Sequence, residues 1–146
     1  MKKFNFHLEG LLTLRDWEEQ KARQALGEIS SEITGLRANI AELERMKEQM
    51  FERWNAECGG TFSPQLRISM EAENTQMKQR ELRLRGEIRK AEARKAEAIG
   101  ELKKRARAKQ VVENLKERRL EEFRSEFYRQ EALEIEDIFN SRHKGV

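Results

Sequence analysis

Between Leu26 and Leu43 the apolar residues Leu26, Ile29, Ile33, Leu36, Ile40 and Leu43 follow one another in alternating steps of three and four. That spacing places them on one narrow stripe of an α-helix, the seam of a coiled coil, which has to be covered by a second helix. Continued backwards, the stripe passes through Ala22, Glu19, Arg15, Leu12 and Leu8, and forwards through Lys47, Met50 and Trp54. It loses apolar character at both ends. A second stripe runs through Met77, Leu84, Ile88, Ala91, Ala98 and Leu102, with Glu81 and Lys95 interrupting it.

Between the two stripes the helical pattern breaks once, at Cys58-Gly59-Gly60-Thr61-Phe62-Ser63-Pro64. Ser63 suits an N-cap and Pro64 the first helical position, where its missing N–H costs nothing. The pattern predicts an all-α fold: a long antiparallel two-stranded coiled-coil hairpin with unequal arms. As a single domain over residues 1–146, it has arm one at about 6–56, the bend at 57–63 and arm two at about 64–139. At the α-helical rise these arms are roughly 75 and 110 Å long. With the bend centred near Thr61, Leu36 faces about Gly86 and Ile29 about Ala93, which sets Gly35 and Gly86 almost opposite each other as a soft spot. Residue 8 then pairs with about residue 114. The helix from Leu115 to Phe139 is left without a partner although it carries Leu120, Phe123, Phe127, Tyr128, Leu133, Ile135, Ile138 and Phe139.

Composition narrows the function. Charged residues make up 39% of the chain and proline occurs once, the profile of long helices rather than of an enzyme with a desolvated pocket. No phosphate-binding G-x-x-x-x-G-K-[ST] loop occurs, and His7, His143 and the lone Cys58 are far apart in sequence. Neither P-loop catalysis nor a zinc cluster is therefore expected, and no cofactor. Cys58, beside two glycines, is expected to be an exposed thiol. There is no apolar run long enough for a membrane span and no secretory signal pattern at the N-terminus, so a cytoplasmic protein is expected, with no direct membrane insertion.

The net charge of +3 conceals segregation. Residues 1–58 carry nine Lys/Arg and eleven Asp/Glu, residues 76–112 thirteen and five, and residues 113–137 five and nine. A basic shaft thus faces a mildly acidic first arm, which favours folding back. The run Lys103, Lys104, Arg105, Arg107 and Lys109 raises the alternative of a basic coiled coil that binds nucleic acid through phosphates. It lacks interleaved aromatic residues for stacking, and specific nucleic-acid binding is not expected. A homodimeric coiled-coil scaffold is the other alternative.

The opening Lys3-Phe4-Asn5-Phe6-His7-Leu8-Glu9-Gly10-Leu11-Leu12-Thr13-Leu14-Arg15 resembles the start of FliJ proteins of the bacterial flagellar export apparatus. The stretch Leu115-Lys116-Glu117-Arg118-Arg119-Leu120-Glu121-Glu122-Phe123, with Gln130 and Glu136-Asp137-Ile138 behind it, is similar to the family's C-terminal helix. The resemblance spans essentially the whole chain. It implies a non-enzymatic stalk, a monomer when isolated, at the inner face of the cell membrane and serving motility. Its implied partners are the hexameric export ATPase, the membrane export-gate protein and export chaperones. For the ATPase ring it points to Phe4, Phe6, Leu11, Leu12, Arg15, Arg118, Arg119, Phe123, Phe127 and Tyr128. For the gate it points to Asn39, Leu43, Met46, Met50, Met77 and Leu84. Of these, Leu43 and Met50 already belong to the seam.

Overall fold

In the computed structural model, residues 3–57 and 63–144 are described, and they form two helices, α1 (Glu9–Glu57) and α2 (Pro64–Lys144), with no strand among them. The unequal arms are 49 and 81 residues long. Packing groups the chain into two units, Met1–Lys21 with Leu102–Val146, and Ala22–Glu101. These are called the terminal and the bend unit below. Within each, α1 and α2 run antiparallel and are joined by ion pairs across the seam.

Those ion pairs fix the register. Wherever a side chain of α1 bridges to α2, the two residue numbers add to between 123 and 129, as in Glu32–Arg94, Lys47–Glu81 and Arg53–Glu73 of the bend unit and Glu9–Lys116 of the terminal unit. Leu36 therefore faces about Ala91 and Ile29 about Ala98. The bend-centred expectation of Gly86 and Ala93 is wrong by some five residues, and Gly35 does not face Gly86. The physical reason is that a centre at Thr61 aims the α1 seam at positions off the α2 seam. The observed register sets stripe against stripe, with Leu43 opposite Leu84 and Met50 opposite Met77. Gly35 and Gly86 have open space where a Cβ would lie, so neither is required for close approach.

The core is one residue wide. Ile33, Leu43, Met50 and Ala91 are buried in the bend unit, Phe6 and Val112 in the terminal unit, and all but Phe6 come from the alternating stripes or their continuation. Every position on the extended α1 stripe from Leu8 to Trp54 is buried or half-buried, as is every position from Met77 to Leu102 on the α2 stripe. Lys47 and Glu81, which interrupt the two seams, satisfy one another at 3.0 Å.

At the start of α2 the Ser63 hydroxyl accepts the Leu66 N–H at 3.1 Å, the cap expected from Ser-Pro. The helix continues past Phe139 through Asn140 and Ser141 to Lys144. At the other end α1 begins at Glu9 rather than near Phe6. The Glu9 N–H donates to the Phe6 carbonyl at 3.1 Å, closing a turn before the helix. Residues 58–62, and with them the bend and the expected exposure of Cys58, lie outside the described residues.

Carboxylates in the bend unit's cross-helix pairs respond to acid. The hydrogen bond from Lys47, then that from Arg85, holds the Glu81 carboxyl below its ordinary range, and Arg94 does the same for Glu32. A depressed carboxyl contributes stability above the unfolded value of about 4.3 and loses it as pH falls through the folded value. The protection of backbone amides around Glu32, Lys47 and Glu81, taken relative to the intrinsic exchange rate at each pH, is therefore expected to fall below about pH 4 and to change little between pH 5 and 8. Protection that stays constant through the acid range contradicts these pairings.

Candidate functional site

The terminal unit is built on a polar seam. Where two-stranded packing asks for apolar residues, Arg15 and Glu19 stand on α1 and Lys109 and Lys116 on α2. Lys109 Nζ lies 2.8 Å from Asp16, 3.2 Å from Glu19 and 3.7 Å from Glu113, and Arg105 meets Glu18 at 3.1 Å. Glu19 is only 8% exposed. Hydrogen bonds to Asp16 and then Glu19 raise the Lys109 ammonium well above its ordinary range. Partly buried charge pairs of this kind fix register more than they add stability.

Beyond this layer the segment 3–8 follows a different rule. Phe4 and Leu8 are half-buried and Phe6 is buried, while Lys3, Asn5 and His7 are exposed. The alternation over residues 3–6 fits a chain laid along a surface, and the turn at His7 and Leu8 then leads into α1. Phe4 packs on Phe123 with ring centroids 5.6 Å apart, and Lys116 bridges to Glu9 at 2.9 Å. The unpaired helix thus starts later than Leu115. Pairing with the N-terminal segment reaches at least Phe123, because both the register and Phe4 carry it further along α2, and Phe127 one turn on is half-buried.

After Phe127 the helix changes character. The seam positions Leu120, Phe123 and Phe127 would continue at Gln130 and Glu134, which are polar. Apolar residues appear instead at Tyr128, Ile135 and Phe139, each more than half exposed, while Ile138, on the seam face itself, is exposed as well. Tyr128, Ala132, Ile135 and Phe139 follow steps of four, three and four, so they form a stripe rotated by about 100° from the seam at the helical 3.6 residues per turn. Every residue from 128 to 143 is exposed.

Of the residues expected at the ATPase ring, the terminal unit thus brings together Phe4, Phe6, Leu11, Leu12, Arg15, Phe123 and Phe127 in intramolecular packing, and presents Arg118, Arg119 and Tyr128 to solvent. Arg119 borders an open groove with Phe4, His7, Glu122, Phe123 and Glu126. Ile135 and Phe139 are not among the residues expected at the ring; their exposure beside polar seam positions marks them. Leu14 and Trp17 also project from α1, with Lys21 Nζ 4.9 Å from the centre of the Trp17 ring.

The residues expected at the gate lie in the bend unit. Asn39, Leu43, Met46 and Leu84 line one shallow groove with Glu42 and Arg80, and Met46 with Met77 lines its neighbour. Met50 does not join them: it is 2% exposed and belongs to the core, as does the 3%-exposed Leu43. Met46 is the accessible methionine of the set.

The basic run of α2 is divided. Arg105 and Lys109 are committed to acids of α1, which leaves Lys103, Lys104 and Arg107 facing outward. Among the described residues no cluster of His, Cys, Asp or Glu is placed to hold a metal ion, and no helix is long and apolar enough to cross a membrane.

No curated protein matches the chain, and no solved structure does. The family described as "Flagellar FliJ protein" matches residues 4–144, nearly the full length and including both the extended N-terminal segment and the exposed C-terminal helix. With two unequal antiparallel helices behind that match, the chain belongs to the FliJ family and is a component of the flagellar protein export apparatus.

Proposed function

We propose that this chain is the non-enzymatic stalk of the export apparatus: its terminal unit binds and stimulates the hexameric export ATPase, and its bend unit contacts the membrane export gate and export chaperones. The observation that carries the reading is the helix after Phe127. Its seam-facing positions Gln130 and Glu134 turn polar while Tyr128, Ile135 and Phe139 stay exposed on a rotated stripe. An apolar stripe that the chain does not cover itself is a protein-binding surface. Family membership supplies the apparatus in which the partner is found.

The bend unit supports the second contact through the groove of Asn39, Met46 and Leu84, since methionine adapts to a partner's shape. The protein works as a monomer held at the inner face of the membrane by these partners. ATP hydrolysis by the purified export ATPase tests the reading. The full chain is expected to raise the rate, and Ile135→Asp with Phe139→Asp to remove the increase while helicity is kept. Equal stimulation by the double variant overturns the assignment of this end.

A further inference from the structure

The bend unit has a second groove, on the side of the seam away from Met46. It is lined by Arg37, Ile40 and Glu44 of α1 and by Leu82, Arg85, Ile88, Arg89 and Glu92 of α2, and encloses about 590 Å³. On α2 the lining positions from Ile88 round to Leu82 fall on one flank of the seam, whereas Arg80, Leu84 and Met77, which line the Met46 grooves, fall on the other flank or on the seam itself. At the helical rise, residues 82–92 extend for about 15 Å, some three turns. A trough of this length between two antiparallel helices has the shape of a third helix.

Its chemistry selects the occupant. The floor is Ile40 and Ile88, and Leu82 stands at the edge with 67% of its surface exposed. Around it Arg37 is paired with Glu92 at 2.9 Å, and Arg85 with Glu81 at 2.9 Å. Arg89 has no hydrogen bond or ion pair among the described residues. Between residues 76 and 95, α2 carries eight Lys/Arg against three Glu, and the facing stretch of α1, residues 32–51, carries three Lys/Arg and four Glu. Glu44 also lines the rim, 3.9 Å from Arg85, so the trough is apolar at its base and its own lining sets Arg37, Arg85 and Arg89 against Glu44 and Glu92, with Arg89 as its unpaired cation among the described residues.

We propose that this groove docks an amphipathic helix of a partner protein, one with an apolar stripe at heptad spacing flanked by carboxylates. Apolar side chains of that helix cover Leu82, Ile40 and Ile88, and its acids meet Arg89 and the one terminal nitrogen of Arg85 that Glu81 does not hold. The groove lies on the other side of the seam from Met46, so this partner and one at the Met46 face occupy separate surfaces. The inference goes beyond the stalk reading and does not depend on it.

The probe is a fluorescein-labelled 21-residue peptide with Leu at both seam positions of three heptads and Glu at the flanking positions. A control peptide has Lys at those flanking positions. With the full chain alone in solution, fluorescence anisotropy is expected to show saturable binding of the Glu peptide that weakens with added salt, and none of the Lys peptide. Leu82→Glu and Arg89→Glu, both at exposed positions, are expected to weaken binding at least tenfold with helicity unchanged, and Met46→Ala to leave it unchanged. The proposal is overturned if the Glu peptide does not bind, if the Lys peptide binds equally well, or if Met46→Ala weakens binding as much as Leu82→Glu. Because neither ATPase nor gate is present, these outcomes are independent of whether the chain stimulates the ATPase.

Discussion

Removal of residues 128–146 is expected to abolish stimulation of the export ATPase while leaving the melting temperature within a few degrees of the full chain. Every described residue of the deleted segment up to 143 is exposed, whereas Leu120, Phe123 and Phe127 just before it are half-buried. Lys116 answers Glu9 and Phe123 answers Phe4, so a cut at Leu115 would strip the N-terminal segment of its packing as well. The two truncations therefore separate partner binding from folding. The shorter deletion removes only the rotated stripe; the longer one also exposes Phe6, at present 5% exposed. A chain ending at Phe127 that still stimulated the ATPase would move the contact onto Leu14, Trp17 and the groove beside Arg119.

Leu43→Ala is expected to destabilise the protein by about 2–5 kcal/mol, the range for truncating a fully packed leucine. Leu43 is buried opposite Leu84 in a core one residue wide, and no second layer can move in to fill the space. Met50→Ala should behave alike. Met46→Ala, one turn from Leu43 but facing the groove, should cost less than about 1 kcal/mol, as surface changes do. It is nevertheless expected to weaken binding to the export gate. Chemical denaturation of the three variants alongside gate binding distinguishes core from docking face. Loss of gate binding only in the unstable variants would mean that the methionine face carries no contact.

The seams were legible from spacing alone. From Leu8 to Trp54 and from Met77 to Leu102, each position reached by steps of three and four is buried or half-buried, including the polar Glu19, Lys47 and Glu81. A register taken from the middle of the break is misplaced by some five residues. Matching stripe to stripe finds it, since 29, 36, 43 and 50 meet 98, 91, 84 and 77 in step. The helix start at Glu9 was also within reach: Phe4, Phe6 and Leu8 alternate with polar residues, a period of two that no helical stripe produces.

The candidate sites were harder to read, because seam and docking residues share the same amino-acid types. Spacing could place Leu43 and Met50 on the seam but could not show that Met46 faces a groove. Phe123 and Tyr128 likewise look equivalent in sequence, yet one packs on Phe4 and the other is exposed. The second groove had no sequence signature. It arises from the register, which brings Ile40 and Arg37 alongside Leu82 and Arg89.

The two proposed partner surfaces are carried by different units. Their most direct test is site-specific photo-crosslinking with the purified export ATPase, from a photoreactive residue placed in turn at Ile135, Phe139 and Met46. Crosslinks to the ATPase from 135 and 139, with none from 46, are the predicted result. Crosslinking from 46 alone, or from none of the three positions while the chain still stimulates hydrolysis, would contradict it.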